Sequence, residues 1–172
     1  MKKANLTTAE YAPYYEVYLK NVANDTSLLD GFQKSLTSTP AYFQNLPKEK
    51  LLHQYDDGKW TPKEILQHLT DTERIFTYRA LRISRNDKTE LPGFDENAYV
   101  PPSQANLKTL DQLLDEFVSL RKANIALYKG FSDEMLLRLG KASGGPVSVR
   151  AIPFILLGHE MHHIRIIKER YF

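Results

Sequence analysis

The sequence predicts an all-α protein, a single helical bundle with one long crossing loop. Apolar residues recur at helical spacing along most of the chain, and several segments carry helix-start signals. No apolar–polar alternation of useful length predicts a strand. The 172 residues fit one domain spanning positions 1–172, long enough to bury a core. We expect four or five helices, most of them long.

Two helix starts are predicted before residue 60. Thr7–Glu10 has the pattern of a capping box, in which the first and fourth side chains satisfy each other's backbone amides. Asp25 or Thr26 is expected to cap the second helix. Pro40 and Pro47 are expected to bracket a break after that helix.

The strongest start signal lies at Trp60. Thr61 suits the N-cap, Pro62 the first helical position and Glu64 the end of a capping box. Trp60 is placed to pack on Ile65 as a hydrophobic staple. This helix is expected to run to about residue 86.

Two more helices are predicted in the second half of the chain. A box at Thr109–Gln112 opens one, and the last runs from near Val149 to the C-terminus. Asp87–Leu107, between the Trp60 helix and the Thr109 helix, is predicted to be a long loop. This loop, with its residues Phe94 and Tyr99, is expected to close over a site.

Composition limits the function classes. The net charge is +2 with no basic stripe, so we expect no nucleic-acid partner. The sequence has no run of eighteen apolar residues, so no membrane span is predicted. The first residues lack the apolar run of a signal peptide, so none is expected. The absence of cysteine excludes disulfides, thiolate metal ligands and a cysteine nucleophile. We expect a cytoplasmic protein.

Three of the five histidines lie together on the last predicted helix. At about 100° per residue, His159 and His163 fall within roughly 20–30° of the centre of its apolar face, whereas His162 lies about 80° away. Spacing of four places two imidazoles one above the other, close enough to share an ion. The apolar residues that define this face are Ile152, Ile155, Leu156, Ile166 and Ile167.

A third imidazole is predicted on the Trp60 helix. His68 lies between Ile65 and Thr72 on the apolar side of that helix. Alone it is typical of a hydrogen-bonded core residue, but with His159 and His163 it completes a three-histidine set. Three protein ligands leave positions for water or substrate, as in catalytic zinc sites. We expect zinc, while nickel and iron(II) also suit imidazole. His53 is expected in a surface loop.

The segment His159–His163 also matches the H-E-x-x-H pattern of zinc peptidases, in which Glu160 would be the general base. Only nine residues follow His163, too few for a further ligand, and no sheet is predicted to hold an extended peptide. Glu160 is either a base or a partner of the metal ligands at this site, or a solvated residue beside it, and the sequence leaves these interpretations open.

The chain resembles the DinB-like (YfiT-like) metal-dependent superfamily over nearly its whole length. The resemblance implies a four-helix up-down-down-up bundle, commonly a homodimer, with a metal site that matches His68, His159 and His163. The segments that carry it are Gly58–Leu69, Asp71–Phe76, Arg79–Arg82, Leu91–Asp95 with Tyr99, Gly158–Ile164 and Lys168–Tyr171.

The resemblance implies function less specifically. Such proteins are described as metal-dependent hydrolases, and some transfer low-molecular-weight thiols such as bacillithiol. We therefore predict a metal-dependent enzyme that activates a thiol or water against a small electrophilic substrate. A non-catalytic metal-binding bundle of stress response and a peptidase stay open as alternatives. Asp71 and Glu73 either orient ligand imidazoles or form ion pairs, with Arg74, Arg79 or Arg82 as the expected partners.

Overall fold

Seven α-helices and one small hairpin make up the chain, and the computed structural model describes all residues, 1–172. The elements are α1 (Glu16–Leu19), α2 (Leu28–Gln44), α3 (Pro62–Ser84), α4 (Glu96–Ser103), α5 (Leu110–Lys129), α6 (Asp133–Leu137), β1 (Leu139–Ala142), β2 (Gly145–Ser148) and α7 (Ala151–Arg170). The four long helices α2, α3, α5 and α7 form the bundle. No helix is both long and apolar enough to cross a membrane.

The long helices follow the up-down-down-up order, as predicted. α3 and α5 run parallel, which requires the chain to cross the length of the bundle between them. α2 runs antiparallel to α5, and α7 runs antiparallel to α3. The side-chain pairs that fix these directions are Gln67 with Glu116 and Glu73 with Arg121 (α3 and α5), Phe32 with Tyr128 and Ser35 with Arg121 (α2 and α5), and Trp60 with Tyr171 and His68 with His159 (α3 and α7).

The helix starts predicted at Thr61 and Thr109 are confirmed. Each hydroxyl accepts the amide hydrogen of the third residue after it, and the side chain of that residue, Glu64 or Gln112, accepts the cap residue's own amide hydrogen. These reciprocal bonds satisfy backbone donors that a helix end otherwise leaves unpaired. They fix where α3 begins and therefore which face His68 occupies.

The predictions for the N-terminal third need correction. Thr7 and Glu10 do form a capping box, but it closes only a 3-10 turn, because Pro13 keeps Ala12 extended and prevents a continuous helix. The N-cap of α2 is Ser27 rather than Asp25 or Thr26. α2 also continues through Pro40 to Gln44. The turns on either side of Pro40 are held by the fully buried side chains of Thr39 and Phe43.

The segment predicted as a long loop is partly helical. It contains α4, capped by the Asp95 carboxylate, and a 3-10 turn at Ala105–Leu107. Asn106 anchors the turn to the start of α3 by bonding to Thr61 and Glu64. The crossing segment is therefore fixed against the bundle at its far end.

The hairpin of β1 and β2 is a further correction, since the sequence predicts no strand. The two strands pair antiparallel from Leu139 with Ser148 to Ala142 with Gly145. The turn residues Ser143 and Gly144 both have positive φ, 52° and 78°, as a tight two-residue hairpin requires. Strands of four residues containing glycine and proline carry too little alternation to be recognised.

The core has two apolar clusters with a buried polar network at their junction. The Arg121 guanidinium contacts the ring of Phe32 in the larger cluster and the ring of Phe117 in the smaller one. It pairs with Glu73 and Glu160, at 2.8 and 2.9 Å. All of these side chains are buried, so the network is satisfied without water.

Candidate metal centre

Three imidazoles from two helices converge between α3 and α7. The Nε2 atom of His159 lies 3.0 Å from Nε2 of His68 and 3.0 Å from Nε2 of His163. His68 and His159 are buried, and His163 is half-buried. These three residues are the ones predicted from spacing, and the structure brings their ring nitrogens within 4.8 Å of one another.

The ends of the two helices hold the imidazoles in register. The hydroxyl of Tyr171, directly after α7, donates to the carbonyl oxygen of Trp60, just before α3. α3 and α7 are therefore fixed antiparallel, and residues one to three turns inside each end face each other. His68 and His163 occupy those positions.

The environment keeps all three imidazoles neutral. Burial lowers the pKa of His68 to about 4. Burial, followed by repulsion from His163 and His68, lowers the pKa of His159 well below its ordinary value. Burial and the neighbouring His68 do the same to the pKa of His163. At neutral pH the three rings are therefore uncharged, the form in which an imidazole binds a metal ion.

Aromatic rings enclose the cluster. The Trp60 ring lies 4.6 Å from His68 and stacks at 6.1 Å on His163, measured between ring centroids. On the other side, Tyr18 contacts His159 edge to face at 5.0 Å. These rings restrict the rotation of the imidazoles and exclude water from two sides.

The histidines form one wall of a cavity of about 340 Å³. This size suits a small molecule rather than an extended peptide. The predicted cover is present in part, because Phe94 of the crossing segment lines the cavity and packs on Tyr99, which is exposed. Other side chains that shape the cavity include Tyr18, Trp60, Thr72, Phe76 and Arg79.

The donor set fits a divalent ion. Two imidazole nitrogens bound at about 2.0–2.1 Å to one zinc ion lie about 3–3.5 Å apart, and two of the three separations here are 3.0 Å. No carboxylate belongs to the cluster. Three uncharged nitrogen ligands beside a cavity correspond to an open site rather than a closed four-ligand one.

Comparison with known proteins agrees with this arrangement. The model of the DinB superfamily matches residues 32–167, which include all three histidines. The chain belongs to the DinB superfamily.

Two relatives of this DinB protein carry similar descriptions. A protein of Oceanobacillus iheyensis named "Putative metal-dependent hydrolase" is 24% identical over 131 residues, 72% of each chain. YfiT from Bacillus subtilis, described as a probable metal-dependent hydrolase with an unusual four-helix bundle topology, matches with a TM-score of 0.68 at 18% identity. That match covers 97% of this chain and 95% of YfiT, and it confirms the predicted bundle.

The remaining two histidines of the DinB chain lie outside the cluster. His53 is exposed in the loop before α3, as predicted. His162 lines the cavity, but its Nδ1 atom lies 3.3 Å from a guanidinium nitrogen of Arg165. Its position on α7, one residue before His163, turns its ring away from the three convergent nitrogens.

Glu160, the predicted base, is not placed at the histidines. One carboxylate oxygen accepts from the Thr39 hydroxyl and the other from Arg121 at 2.9 Å. Burial raises the pKa of this carboxyl, and Arg121 and Thr39 oppose that rise. Glu160 is buried, does not line the cavity and bonds to no imidazole, so the structure places it neither as a base, nor as a partner of the ligands, nor as a solvated residue.

Asp71 and Glu73 of α3 form ion pairs rather than contacts with the imidazoles. Asp71 pairs with Arg74 at 3.7 Å, one of the partners expected. Glu73 pairs with Arg121 of α5, a partner that the sequence does not predict. A pairing between two helices cannot be recognised from spacing along one of them.

Sequence reasoning missed the polar groups of the cavity itself. The sequence places Thr72 on the apolar side of the Trp60 helix but assigns no role to it, and it assigns only an ion pair to Arg79. The signal that could have found Arg79 is its position, eleven residues after His68 and therefore only about 20° away around the helix. Tyr18 carries no such signal, because the N-terminal segment is expected from sequence to be a longer helix.

Proposed function

We propose that this protein is a metal-dependent enzyme in which His68, His159 and His163 hold a divalent ion that activates a thiol or water. The reaction would be S-transfer or hydrolysis on a small electrophilic substrate. The observation that carries the proposal is the convergence of three neutral imidazole nitrogens on the wall of a small-molecule cavity. The descriptions of both relatives as metal-dependent hydrolases support it.

A divalent ion held by these residues would supply Lewis acidity, which would lower the pKa of a coordinated water towards neutrality and would deprotonate a coordinated thiol. Zinc is the ion we propose, and nickel and iron(II) suit the same ligands. The chain contributes three neutral ligands and an aromatic surround that limits water. It contains no cysteine, so a thiol nucleophile has to come from a second small molecule.

Two features support an enzyme over the alternatives. A structural metal site is expected to have four protein ligands, and this cluster has three. A peptidase of the H-E-x-x-H type needs its glutamate beside the metal, whereas the carboxylate of Glu160 is bonded to Thr39 and Arg121. The buried histidines and the cavity next to them suit a reaction between small molecules.

We favour thiol transfer over hydrolysis, because the cavity extends beyond the histidines and leaves room for a second reactant. The test is to follow consumption of monochlorobimane by protein loaded with zinc, nickel or cobalt, with and without an added low-molecular-weight thiol. The expected result is a thiol-dependent rate above the uncatalysed rate, which metal removal abolishes. Parallel assays with activated esters and no thiol test hydrolysis.

His163→Ala is the test variant, and His53→Ala is its matched control. The first removes a proposed ligand, and the second removes an exposed imidazole outside the cluster. Activity that persists unchanged in the His163 variant would contradict the proposal. Metal-dependent ester turnover with no response to any thiol would assign hydrolysis instead.

A further inference from the structure

Two arginines of the bundle are equally buried, but only one of them is paired with carboxylates that neutralise its charge. Arg79 and Arg121 are each 2% exposed. Arg121 forms ion pairs with Glu73 and Glu160. Arg79 has no carboxylate within ion-pair distance and is the one that lines the cavity. A buried guanidinium without an anionic partner is costly, so its charge calls for a counter-ion from elsewhere.

The contacts of Arg79 hold it in place without using its charge. Its Nη2 atom donates to the carbonyl oxygen of Pro92 at 2.8 Å and to the hydroxyl of Ser143 at 2.9 Å. The guanidinium lies over the ring of Phe76 at 4.8 Å. The Nε and Nη1 atoms donate to no acceptor of the protein. Both hydrogens of Nη2 are thus used by the crossing segment and the hairpin turn, whereas the hydrogens on Nε and Nη1 have no acceptor.

One carboxylate does line the cavity. Glu96, the first residue of α4, is exposed and forms no ion pair with Arg79. A solvated carboxylate at the mouth contributes little to a buried charge, because water screens it. Glu96 would instead repel an anion that enters, which makes it useful as a second probe.

The same face of α3 connects Arg79 to the histidines. His68, Thr72, Phe76 and Arg79 all line the cavity, and the eleven residues from His68 to Arg79 span about 16 Å along the helix axis. Between the two ends, the Thr72 hydroxyl is buried and has no hydrogen-bond partner. The cavity therefore has a nitrogen cluster at one end, an unpaired hydroxyl in the middle and a guanidinium with unpaired N–H groups at the other.

We propose that Arg79 is an anion-recognition residue, and that the substrate is an elongated small molecule with a carboxylate or phosphate group opposite its reacting atom. Because both two-donor edges of the guanidinium include the occupied Nη2, the oxygens of such a group would accept single charge-assisted hydrogen bonds from Nη1 or Nε. The Thr72 hydroxyl would bond to a polar atom along the substrate. This inference rests on the proposed function for the reacting end, but the anion site itself can be tested without any reaction.

The test uses metal-free protein and an inert matched pair, 4-phenylbutyrate and its uncharged amide. Binding is followed by calorimetry and by the fluorescence of Trp60, the one tryptophan of the chain, which lines the cavity. The carboxylate should bind about tenfold tighter than the amide or better, the usual strength of a charged hydrogen bond. In Arg79→Gln this preference should disappear.

Three variants make the result specific. Arg79→Lys keeps the charge but loses the planar donor group that Pro92 and Ser143 hold in place, so a reduced carboxylate preference is expected even if Arg79→Gln folds poorly. Glu96→Gln should strengthen carboxylate binding. Arg74→Gln, on the same helix but half-exposed and outside the cavity, should change nothing.

The outcomes separate this inference from the proposed function. Equal binding of acid and amide by the parent protein, or a preference that survives Arg79→Gln, would overturn the role of Arg79 and leave metal-dependent catalysis intact. An Arg79-dependent preference in a protein with no metal-dependent activity would support the anion site while removing the proposed reaction. With an active enzyme, anionic substrates should show a raised KM in Arg79→Gln at little change in kcat.

Discussion

At the residue scale, the stability of the bundle depends on how its few buried charged side chains are paired. Burial alone would lower the pKa of Arg121, but Glu73 and Glu160 raise it. Asn124 and Ser35 complete the hydrogen bonding of the network. Every charged side chain of this network has a partner. The free-energy cost of removing these groups from water is therefore offset only while all the partners are present.

Removing the centre of this network should be severe. In Arg121→Leu two buried carboxylates lose their counter-ion, and we expect a loss of about 3–5 kcal/mol in the free energy of unfolding. Urea denaturation followed by circular dichroism measures it. Arg165→Leu, which breaks an exposed pair with Glu169, should lose no more than about 1 kcal/mol. Similar losses in both variants would mean that the buried network does not contribute as described.

The sequence predicts the histidines better than the glutamate next to them. Positions 159 and 163 are four apart on an apolar face, so helical periodicity alone places their rings together. Periodicity does not show what Glu160 contacts. Its partners, Thr39 and Arg121, come from α2 and α5, and contacts between distant helices leave no local pattern.

At the element scale, α1 and α7 pack so closely at Gly158 that a side chain at this position would not fit. A Cβ atom on Gly158 would lie 2.2 Å from the carbonyl oxygen of Tyr18, which is backbone and cannot rotate away. The Asn21 side chain donates to the Gly158 carbonyl at 3.2 Å across the same contact. Because Tyr18 packs on His159, this glycine sets the position of one wall of the site.

Gly158→Ala tests that close approach. Alanine is about 1 kcal/mol better than glycine inside a helix, so a purely local effect would stabilise the protein. We expect the opposite, a loss of about 1–3 kcal/mol from overpacking, together with weaker metal binding. Thermal unfolding and metal titration measure the two effects.

Gly130→Ala is the control, since its Cβ would meet its nearest neighbour at 3.4 Å, an ordinary contact. It should change stability by less than about 1 kcal/mol. A Gly158 variant as stable as the parent would contradict the packing described.

The elements that the sequence predicts well are those defined by their own residues. α3 and α5 begin at capping boxes whose bonds are local, and α7 is a continuous apolar stripe. The hairpin and α4 depend on contacts elsewhere. The Leu91 amide donates to Lys141, and the Ser143 amide donates to Leu91, so the crossing segment and the hairpin stabilise each other. Neither has a signal strong enough alone.

At the scale of the whole molecule, an ion held by α3 and α7 would join the two helices that contribute the site. Binding to the folded state alone adds RT ln(1 + [M]/Kd), about 2.7 kcal/mol at a hundredfold excess over Kd. Chelation should therefore lower the melting temperature by roughly 5–10 °C. The apolar clusters remain, so the metal-free protein should keep its helical circular dichroism. A chain that unfolds on chelation would show a structural metal and weaken the enzyme proposal.

The measurement that tests the central claim most directly is metal content after dialysis, by elemental analysis, of five single variants. His68→Ala, His159→Ala and His163→Ala should each lose most of the bound metal, because each removes one of three convergent nitrogens. His53→Ala and His162→Ala should retain it. Full retention in the His68 variant, or a loss from His162→Ala equal to that from His163→Ala, would contradict a site built from His68, His159 and His163.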